Sequence, residues 1–476
     1  MEHWDVAVIG GGLLGCFAAR NLCRWRLPVV LLEAREDLCT GISRANTAIV
    51  YPGYDHKPGS LKAEMTVRAN ADFERLCGEL DVPFSRCGSL MIACGERAEA
   101  VLREKYENGR ALAVPGLRLL GREEALALEP GLTPDLRAAL FAPTAGTVNP
   151  WQLGIAAFEN AAANGAAACL NAPVRAMERT EAGYLLHTAG ESCACRAVIN
   201  CAGLSADRVQ ELLFPSPVRI VPSAGDYLVL DRAAAGLPRH IIQYEPEDGG
   251  KGLSAVPTVE GSLLLGPSER ENGTDFATSA AGLDFVRRQA ARVLPALNLD
   301  DTIRAFAALR PNPRRPDGGS IGSFVIDNPA PGFYSFIGIK TPGLSCANEL
   351  GAWAAARAAA YLGAERNDAF RPERRGIERV RAMSMARRAA AIAENPDYGQ
   401  LLCVCEEVSL AEAREAIRRG AVTVDGIKRR TGTAMGRCQG GRCEQKLTAL
   451  LARELGVSEY AVTKDGAGSE ILGGAP

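Results

Sequence analysis

Two groups of residues have types and spacings that can do chemistry. The first is a set of four cysteines late in the chain: Cys403-Val404-Cys405, a long gap, then Cys438-Gln439-Gly440-Gly441-Arg442-Cys443. Four thiolates presented by two tight loops can bind zinc or iron–sulfur. Zinc ribbons favour C-x2-C pairs, and C-x-C with C-x4-C departs from that spacing. The loops are also rich in glycine and arginine, with Gly436, Arg437, Gly440, Gly441 and Arg442. Their N–H groups and guanidiniums suit a net-negative cluster and its sulfides. Structural zinc stays open as the alternative. A disulfide pair is the weaker one, because the chain has 15 cysteines, an odd number, and no secretion signal.

The second group is Gly10-Gly11-Gly12-Leu13-Leu14-Gly15, followed by Glu33. It fits G-x-G-x-x-G. Gly10 permits a tight turn, Gly12 lets the backbone approach a pyrophosphate, and Gly15 lets helix and strand pack closely. A helix starting there offers unpaired N–H groups to phosphates. Glu33 falls where an acid can accept from ribose hydroxyls. The fingerprint alone does not separate FAD from NAD, and a ligand-free glycine-rich turn is the bland alternative.

These residues need elements to hold them. Val6-Ala7-Val8-Ile9 is one apolar run, which predicts a buried strand over 5–10. A helix is expected over 16–25 and a second strand over 29–32. Ala197-Val198-Ile199-Asn200-Cys201 predicts another buried strand that runs into Ala202-Gly203. Between 215 and 328, short apolar runs alternate with turns. They predict strands over 226–230, 241–244, 253–257 and 262–266 in a mostly antiparallel sheet. A helix over 281–294 must stop at Pro295. Past Gly363 the chain becomes rich in arginine and glutamate, which reads as a solvated linker helix. Ser409 is a natural N-cap, and Glu412 completes a capping box for a helix over 409–419. The segment after 455 has no assignable structure, and disorder or docking on the chain's own surface are its two readings.

Bulk properties set the outer limits. A length of 476 residues predicts two or three domains. Hydrophobic residues at 47% and charged residues at 23% fit a globular soluble protein. A net charge of −2 argues against nucleic acid as a partner. No apolar run is long enough for a transmembrane segment, although peripheral association stays compatible. Met1-Glu2-His3-Trp4-Asp5 has no basic n-region, so a cytoplasmic location is expected. Most remaining cysteines, such as Cys16, Cys23, Cys77 and Cys201, lie singly in apolar segments and read as small buried hydrophobes.

Further segments accompany the fingerprint: Thr40-Gly41-Ile42-Ser43-Arg44-Ala45-Asn46-Thr47-Ala48-Ile49-Val50, Pro58-Gly59-Ser60-Leu61-Lys62-Ala63, and Gly338-Ile339-Lys340-Thr341-Pro342-Gly343-Leu344-Ser345. Together they resemble the D-amino-acid-oxidase-like FAD superfamily over about residues 1–365. Within it, the likeness is to the branch of L-2-hydroxyglutarate dehydrogenases and glycerol-3-phosphate-dehydrogenase-like flavoproteins. Residues 400–455 resemble the bacterioferritin-associated-ferredoxin-like [2Fe–2S] domain. The resemblance implies an α/β fold with a discontinuous Rossmann-like FAD domain over 1–81, 144–214 and 329–364. A mixed-sheet substrate domain is implied over 82–143 and 215–328. A linker helix over 365–399, a small, mostly helical [2Fe–2S] domain over 400–455 and a tail over 456–476 complete the chain.

The resemblance also implies roles. Gly10, Gly12 and Gly15 cradle the pyrophosphate, and Glu33 with Ala34 meets the adenosine ribose. Ser43, Asn46 and Thr47 run beside the flavin, Val174 meets the adenine, and Ala202 and Gly203 pass under the cofactor. Gly338 belongs to the flavin-facing loop, and Gly343, Leu344 and Ser345 present N–H groups to the flavin pyrimidine edge. A helix start at Ser345 would stabilise the charge that reduction brings there. Cys403, Cys405, Cys438 and Cys443 hold the cluster.

On the substrate side, Tyr51 stands where the 2-hydroxyglutarate branch has a histidine in V-I-H-x-G. His56 is a candidate replacement for that base, with a plain loop residue as the alternative. Arg310 is placed to clamp a carboxylate or phosphate, or to make a structural ion pair. Lys340 stands where the 2-hydroxyglutarate enzymes have glutamate and the glycerol-3-phosphate enzymes have lysine. It can hold an anion or steady a developing alkoxide, or simply be solvated.

The expectation is therefore an FAD-dependent dehydrogenase acting on a small anionic hydroxy substrate, with sn-glycerol 3-phosphate first. L-2-hydroxyglutarate or another 2-hydroxy acid comes next, then an amino-acid or opine dehydrogenase subunit, or an electron-relay subunit with no substrate of its own. Electrons would pass from FAD to the [2Fe–2S] cluster and on to an acceptor protein or quinone-linked subunit, in an oligomer or hetero-complex. An oxidase using oxygen would not need the cluster.

Overall fold

The strand Glu2–Ile9 is the spine of the first sheet. Val6, Ala7 and Val8 are fully buried because the strand is flanked on both sides. It pairs in parallel with Val29–Leu32 on one edge and Ser192–Asn200 on the other. An all-apolar run is what such a two-sided position selects. Ser192–Asn200 then divides its outer edge. Its first half pairs antiparallel with Gly183–His187, and its second half pairs in parallel with Phe333–Ile337. The carboxyl ends Ile9, Leu32, Asn200 and Ile337 thus lie along one edge of the sheet, the edge where open parallel sheets bind ligands. Helices Leu13–Leu22 and Gly343–Leu362 pack closely enough that a Cβ on Gly351 would lie 2.7 Å from the Phe17 backbone.

The structure is a computed structural model that describes residues 2–474. Two units emerge from it: Met1–Ala34 with Cys39–Arg374, and Arg35–Leu38 with Arg375–Pro476. Among the described residues no helix is long and apolar enough to cross a membrane.

The first unit holds a second eight-stranded sheet in the order Thr302–Arg314, Arg219–Leu230, Leu263–Gly266, Ser254–Pro257, Ile241–Glu245, Ser89–Ala93, Ala138–Ala142, Arg118–Gly121. Its pairs are antiparallel apart from Ile241–Glu245 with Ser89–Ala93, where two distant stretches of chain join in parallel. Leu90, Ile92, Leu228, Leu230, Ile242 and Leu265 point into one core with Val286 and Val293 of the helix Ala280–Val293. That helix is capped by Ser279, whose Oγ accepts from Gly282 N at 3.1 Å, and it ends before Pro295.

In the second unit, helices Leu410–Arg418, Val424–Thr431 and Glu444–Leu455 surround a core of Val408, Ala413, Val424, Ile427, Leu447 and Leu451. The capping box is formed: Glu412 N donates to Ser409 Oγ at 3.3 Å and Ser409 N donates to Glu412 Oε2 at 2.8 Å. Asp37 is 1% exposed and accepts from both Arg429 and Arg430, and Arg429 also reaches Asp465 at 2.8 Å. Burial alone would raise the Asp37 carboxyl, but the two guanidiniums more than offset it and hold it below the ordinary range.

One expectation needs correction here. The helix expected over 365–399 is confined to Met385–Glu394. Pro372 lacks the N–H that helical bonding needs, and Gly376 is a poor helix former, so the arginine-rich stretch before it stays irregular. For the segment after 455, the contacts match the docking reading: Val424 N donates to Thr463 O at 3.2 Å and Asp425 N to Lys464 O at 2.8 Å, so this stretch packs on the helix Val424–Thr431.

Candidate active site and cysteine cluster

The turn between Ile9 and Leu13 has no room for side chains. Gly10 has φ +103°, and a Cβ there would lie 2.6 Å from Cys201 O. A Cβ on Gly15 would lie 1.9 Å from Gly10 O, and one on Gly12 would lie 3.1 Å from Ser43 Oγ. Leu13 N donates to Ser43 Oγ at 3.0 Å, and Gly11 N donates to Glu33 Oε2 at 2.6 Å. The helix Leu13–Leu22 begins with no side-chain cap from Gly12, so backbone N–H groups form the floor of the turn. This glycine cradle, free of side chains of its own, fits a pyrophosphate. Gly15→Ala should purify without FAD, read as loss of the flavin absorption band. The clash is with backbone, which cannot step aside.

Around the cradle, the loops shape themselves by local bonds. Asn46 Nδ2 donates to Ser43 O at 3.0 Å and Asn46 Oδ1 accepts from Ala48 N at 2.8 Å. Ala202 N donates to Asn200 Oδ1 at 3.2 Å, and Gly203 opens a short helical turn at φ +57°. Val174 is half-buried against the core of the first sheet, and Ala34 is exposed after Glu33. Gly338 has φ +68° and sits tight against Pro313. The last helix of the unit starts at Gly343, two residues before the expected position. Ser345 is buried, and its Oγ accepts from Tyr51 N at 2.9 Å.

A cavity of about 530 Å³ opens in the first unit where these loops meet the second sheet. Gly12, Ser43, Asn46, Thr47, Gly203, Gly343 and Leu344 line it, and so do Tyr51, Arg310 and Lys340. Gly10, Gly15, Glu33, Ala34, Val174, Ala202, Gly338 and Ser345 are not among its lining residues. His56 is not part of the lining. It lies beside Asp55, and burial together with Lys62 and Lys105 depresses its pKa. Asp55 is bonded to Lys105 at 2.8 Å.

Tyr227, Lys251, Glu269 and Asn312 are among the lining residues that the sequence reading missed. Asn312 carried a signal, since Arg310, Asn312 and Arg314 alternate on one face of the strand Thr302–Arg314. Lys251 carried none, because only the tertiary fold brings it from a glycine turn to Arg310. Burial first, then Arg310, pushes Lys251 down to about 8. Burial, Arg310 and Arg314 also lower Lys340, whose Nζ donates to Asn312 Oδ1 at 2.8 Å. Arg310 is 3.4 Å from Glu269. Burial pushes the Tyr51 phenol up to about 12, so Tyr51 is a hydrogen-bond donor at ordinary pH and not a base. Tyr227 is stacked on Phe306 at 4.8 Å; burial raises its phenol, and Arg310 partly opposes that shift.

The four late cysteines form two pairs in the second unit. Cys403 and Cys443 are each 1% exposed. The hydrogen bond between them holds Cys403 down to about 6 and drives Cys443 up. Cys405 and Cys438 are half-buried with sulfurs 3.6 Å apart. Burial opposes ionisation of Cys438, but the N–H groups of Arg442 and Gly440 point at its sulfur and lower it. Among the described residues every cysteine is a free thiol, and no three ligand-type side chains converge on one metal-sized point. Two thiol pairs suit the two irons of a binuclear cluster better than one tetrahedral ion.

The comparisons with known proteins agree with this geometry. Residues 5–357 match the family model "FAD dependent oxidoreductase", and residues 401–453 match "BFD-like [2Fe-2S] binding domain". A glycerol 3-phosphate dehydrogenase of Caloramator mitchellensis is 36% identical over 480 residues, covering 99% of this chain and 98% of that protein. The human mitochondrial L-2-hydroxyglutarate dehydrogenase is 27% identical over 382 residues, covering 68% and 81%. Dithionite-reduced L-alpha-glycerophosphate oxidase from Mycoplasma pneumoniae, solved with FAD bound, shares the fold with a TM-score of 0.71 at 23% identity, covering 79% of this chain and 99% of that one. The chain belongs to the FAD-dependent oxidoreductases, as a homologue of glycerol 3-phosphate dehydrogenase that binds FAD and carries a BFD-like [2Fe–2S] domain.

Proposed function

We propose that this chain oxidises sn-glycerol 3-phosphate and delivers the electrons to a separate acceptor, a redox protein or quinone-linked subunit. The observation that carries the reading is the charge of the cavity. Lys251, Arg310 and Lys340 line it against one carboxylate, Glu269. Such a wall fits a phosphate dianion, with the Arg310 fork taking two oxygens and the ammoniums taking others. The relative from Caloramator mitchellensis, matched over nearly its whole length, carries that substrate in its name. Tyr51 donates to a substrate oxygen. When bound, FAD would supply the hydride acceptor, and a [2Fe–2S] cluster held by Cys403, Cys405, Cys438 and Cys443 would supply one-electron chemistry.

The direct test is anaerobic mixing of the holoenzyme with candidate substrates, reading the flavin band. Glycerol 3-phosphate should bleach it. Bleaching by L-2-hydroxyglutarate or an amino acid alone would transfer the assignment to that substrate, and bleaching by none would leave an electron-relay subunit. The pH dependence has a fixed sign. Lys251 holds an anion only while protonated, and its pKa is about 8. The KM for glycerol 3-phosphate should therefore be lowest below pH 8 and rise above it, measured across pH 6.5–9.5 with a dye acceptor.

A further inference from the structure

The motif Pro58-Gly59-Ser60-Leu61-Lys62-Ala63 lies outside the cavity lining. It starts the helix Leu61–Leu80, with Ser60 Oγ accepting from Ala63 N at 3.3 Å. The cap puts Lys62 in the first turn, next to the positive end of the helix dipole, where a cation is disfavoured. Lys62 is also buried, at 8% exposure. Its Nζ donates to Thr341 O at 3.2 Å and lies 5.0 Å from the centre of the Phe324 ring. An ammonium has three donors, and burying it with so few acceptors costs stability that an apolar residue of the same length would not. The arrangement is nevertheless rigid. Thr66 Oγ1 donates to Lys62 O at 2.5 Å and meets Cys346 Sγ at 3.4 Å, which ties this helix to Gly343–Leu362.

Thr341 is the link to the site. It lines the cavity between Lys340 and Pro342, while Lys62 stands behind it, outside the lining. Lys62 therefore holds the loop at the residue next to Lys340. We propose that Lys62 is a positioning residue that grips the Thr341 carbonyl to hold the flavin-facing loop and places a fixed positive charge behind it, favouring flavin reduction. The inference rests on the proposed placement of Gly343, Leu344 and Ser345 against the flavin pyrimidine edge, where reduction adds negative charge. It does not depend on which substrate is oxidised. Burial first, then repulsion from Lys340, depresses Lys62 to about 8.

The test is a dye-coupled anaerobic titration of the holoenzyme, with the flavin read by its visible band and the cluster by electron paramagnetic resonance. Three variants are compared. Lys62→Met removes grip and charge, Lys62→Gln keeps an N–H donor without charge, and Lys62→Arg keeps both. The equilibrium constant for flavin reduction should fall about tenfold in the Met and Gln variants, roughly 30 mV for a two-electron couple, and recover in the Arg variant. The cluster potential should not move. An unchanged flavin potential in a Met or Gln variant that retains FAD would overturn the proposal. Loss of FAD from both would also overturn it, in favour of a packing role. No substrate enters this measurement, so a wrong substrate assignment fails in the bleaching experiment and leaves this one unaffected.

Discussion

Replacing Arg310 with methionine should lower kcat/KM for glycerol 3-phosphate by roughly two to three orders of magnitude while FAD stays bound. The side chain is 27% exposed and faces a cavity that it shares with Lys251, Lys340 and Tyr227. Its ion partner Glu269 is 3.4 Å away and itself 44% exposed, so a substrate anion can displace that contact at small cost. A charge-assisted, partly desolvated contact of this kind is worth roughly 3–4 kcal/mol when one partner is truncated. Each 1.4 kcal/mol, approximately, is tenfold in rate, which sets the size of the effect. Arg310→Lys should recover only part of it, because a point charge cannot engage two oxygens at once. Steady-state kinetics with an artificial acceptor decide the matter. A loss below about threefold would mean that the anion is bound elsewhere. Lys340→Met should act in the same direction and less than additively with Arg310→Met, since the two side chains interact through one ligand.

The second large effect is expected at Cys405. Cys405→Ala should abolish the iron–sulfur absorption and paramagnetic signal, leave FAD bound, and leave bleaching by substrate at its normal rate. Electron delivery to a protein acceptor should fall more than a hundredfold on the order-of-magnitude scale of a lost metal ligand. Cys405 is the right probe because it is half-buried, so its removal opens little core. Cys403 is fully buried in the core of the second unit, and a change there would mix loss of the ligand with loss of packing. Iron content, the spectrum and single-turnover flavin reduction are measured on the same sample. Two irons per chain in the variant would remove Cys405 from the ligand set. Slowed bleaching without iron would mean that the substrate step and the cluster are coupled.

How far the chain could be read in advance depended on the range of the interactions. The strand Val29–Leu32 and the capping box at Ser409 were legible because each is decided within a few residues. The glycine turn was legible for the same reason: a tight turn, a close approach and a positive φ each exclude side chains locally. The start of the helix at Gly343 was misplaced by two residues. Its first turn follows Pro342, which needs no N–H of its own, and the sequence offered Ser345 as a more ordinary start. His56 shows the opposite limit. It is five residues from Tyr51, yet Gly53 at φ +110° and the buried Tyr54 turn the chain between them, so only Tyr51 lines the cavity.

By itself, the sequence determined the chemistry that the chain can carry: a glycine cradle for a dinucleotide, four thiols spaced for a cluster, and the strands and caps that present them. Those features follow from local sterics and from periodicity, which a linear reading captures. Only the tertiary structure decided which side chains meet. It brought Lys251 from a glycine turn to within reach of Arg310, set Asn312 under Lys340, and placed Lys62 behind Thr341. It also sorted the cysteines into Cys403 with Cys443 and Cys405 with Cys438, across a gap that spacing could not resolve. Each of these meetings joins residues far apart in the chain, through packed sheets and helices whose register depends on the whole core. That is why the cofactor motifs are legible in the sequence and the charged wall of the cavity is not.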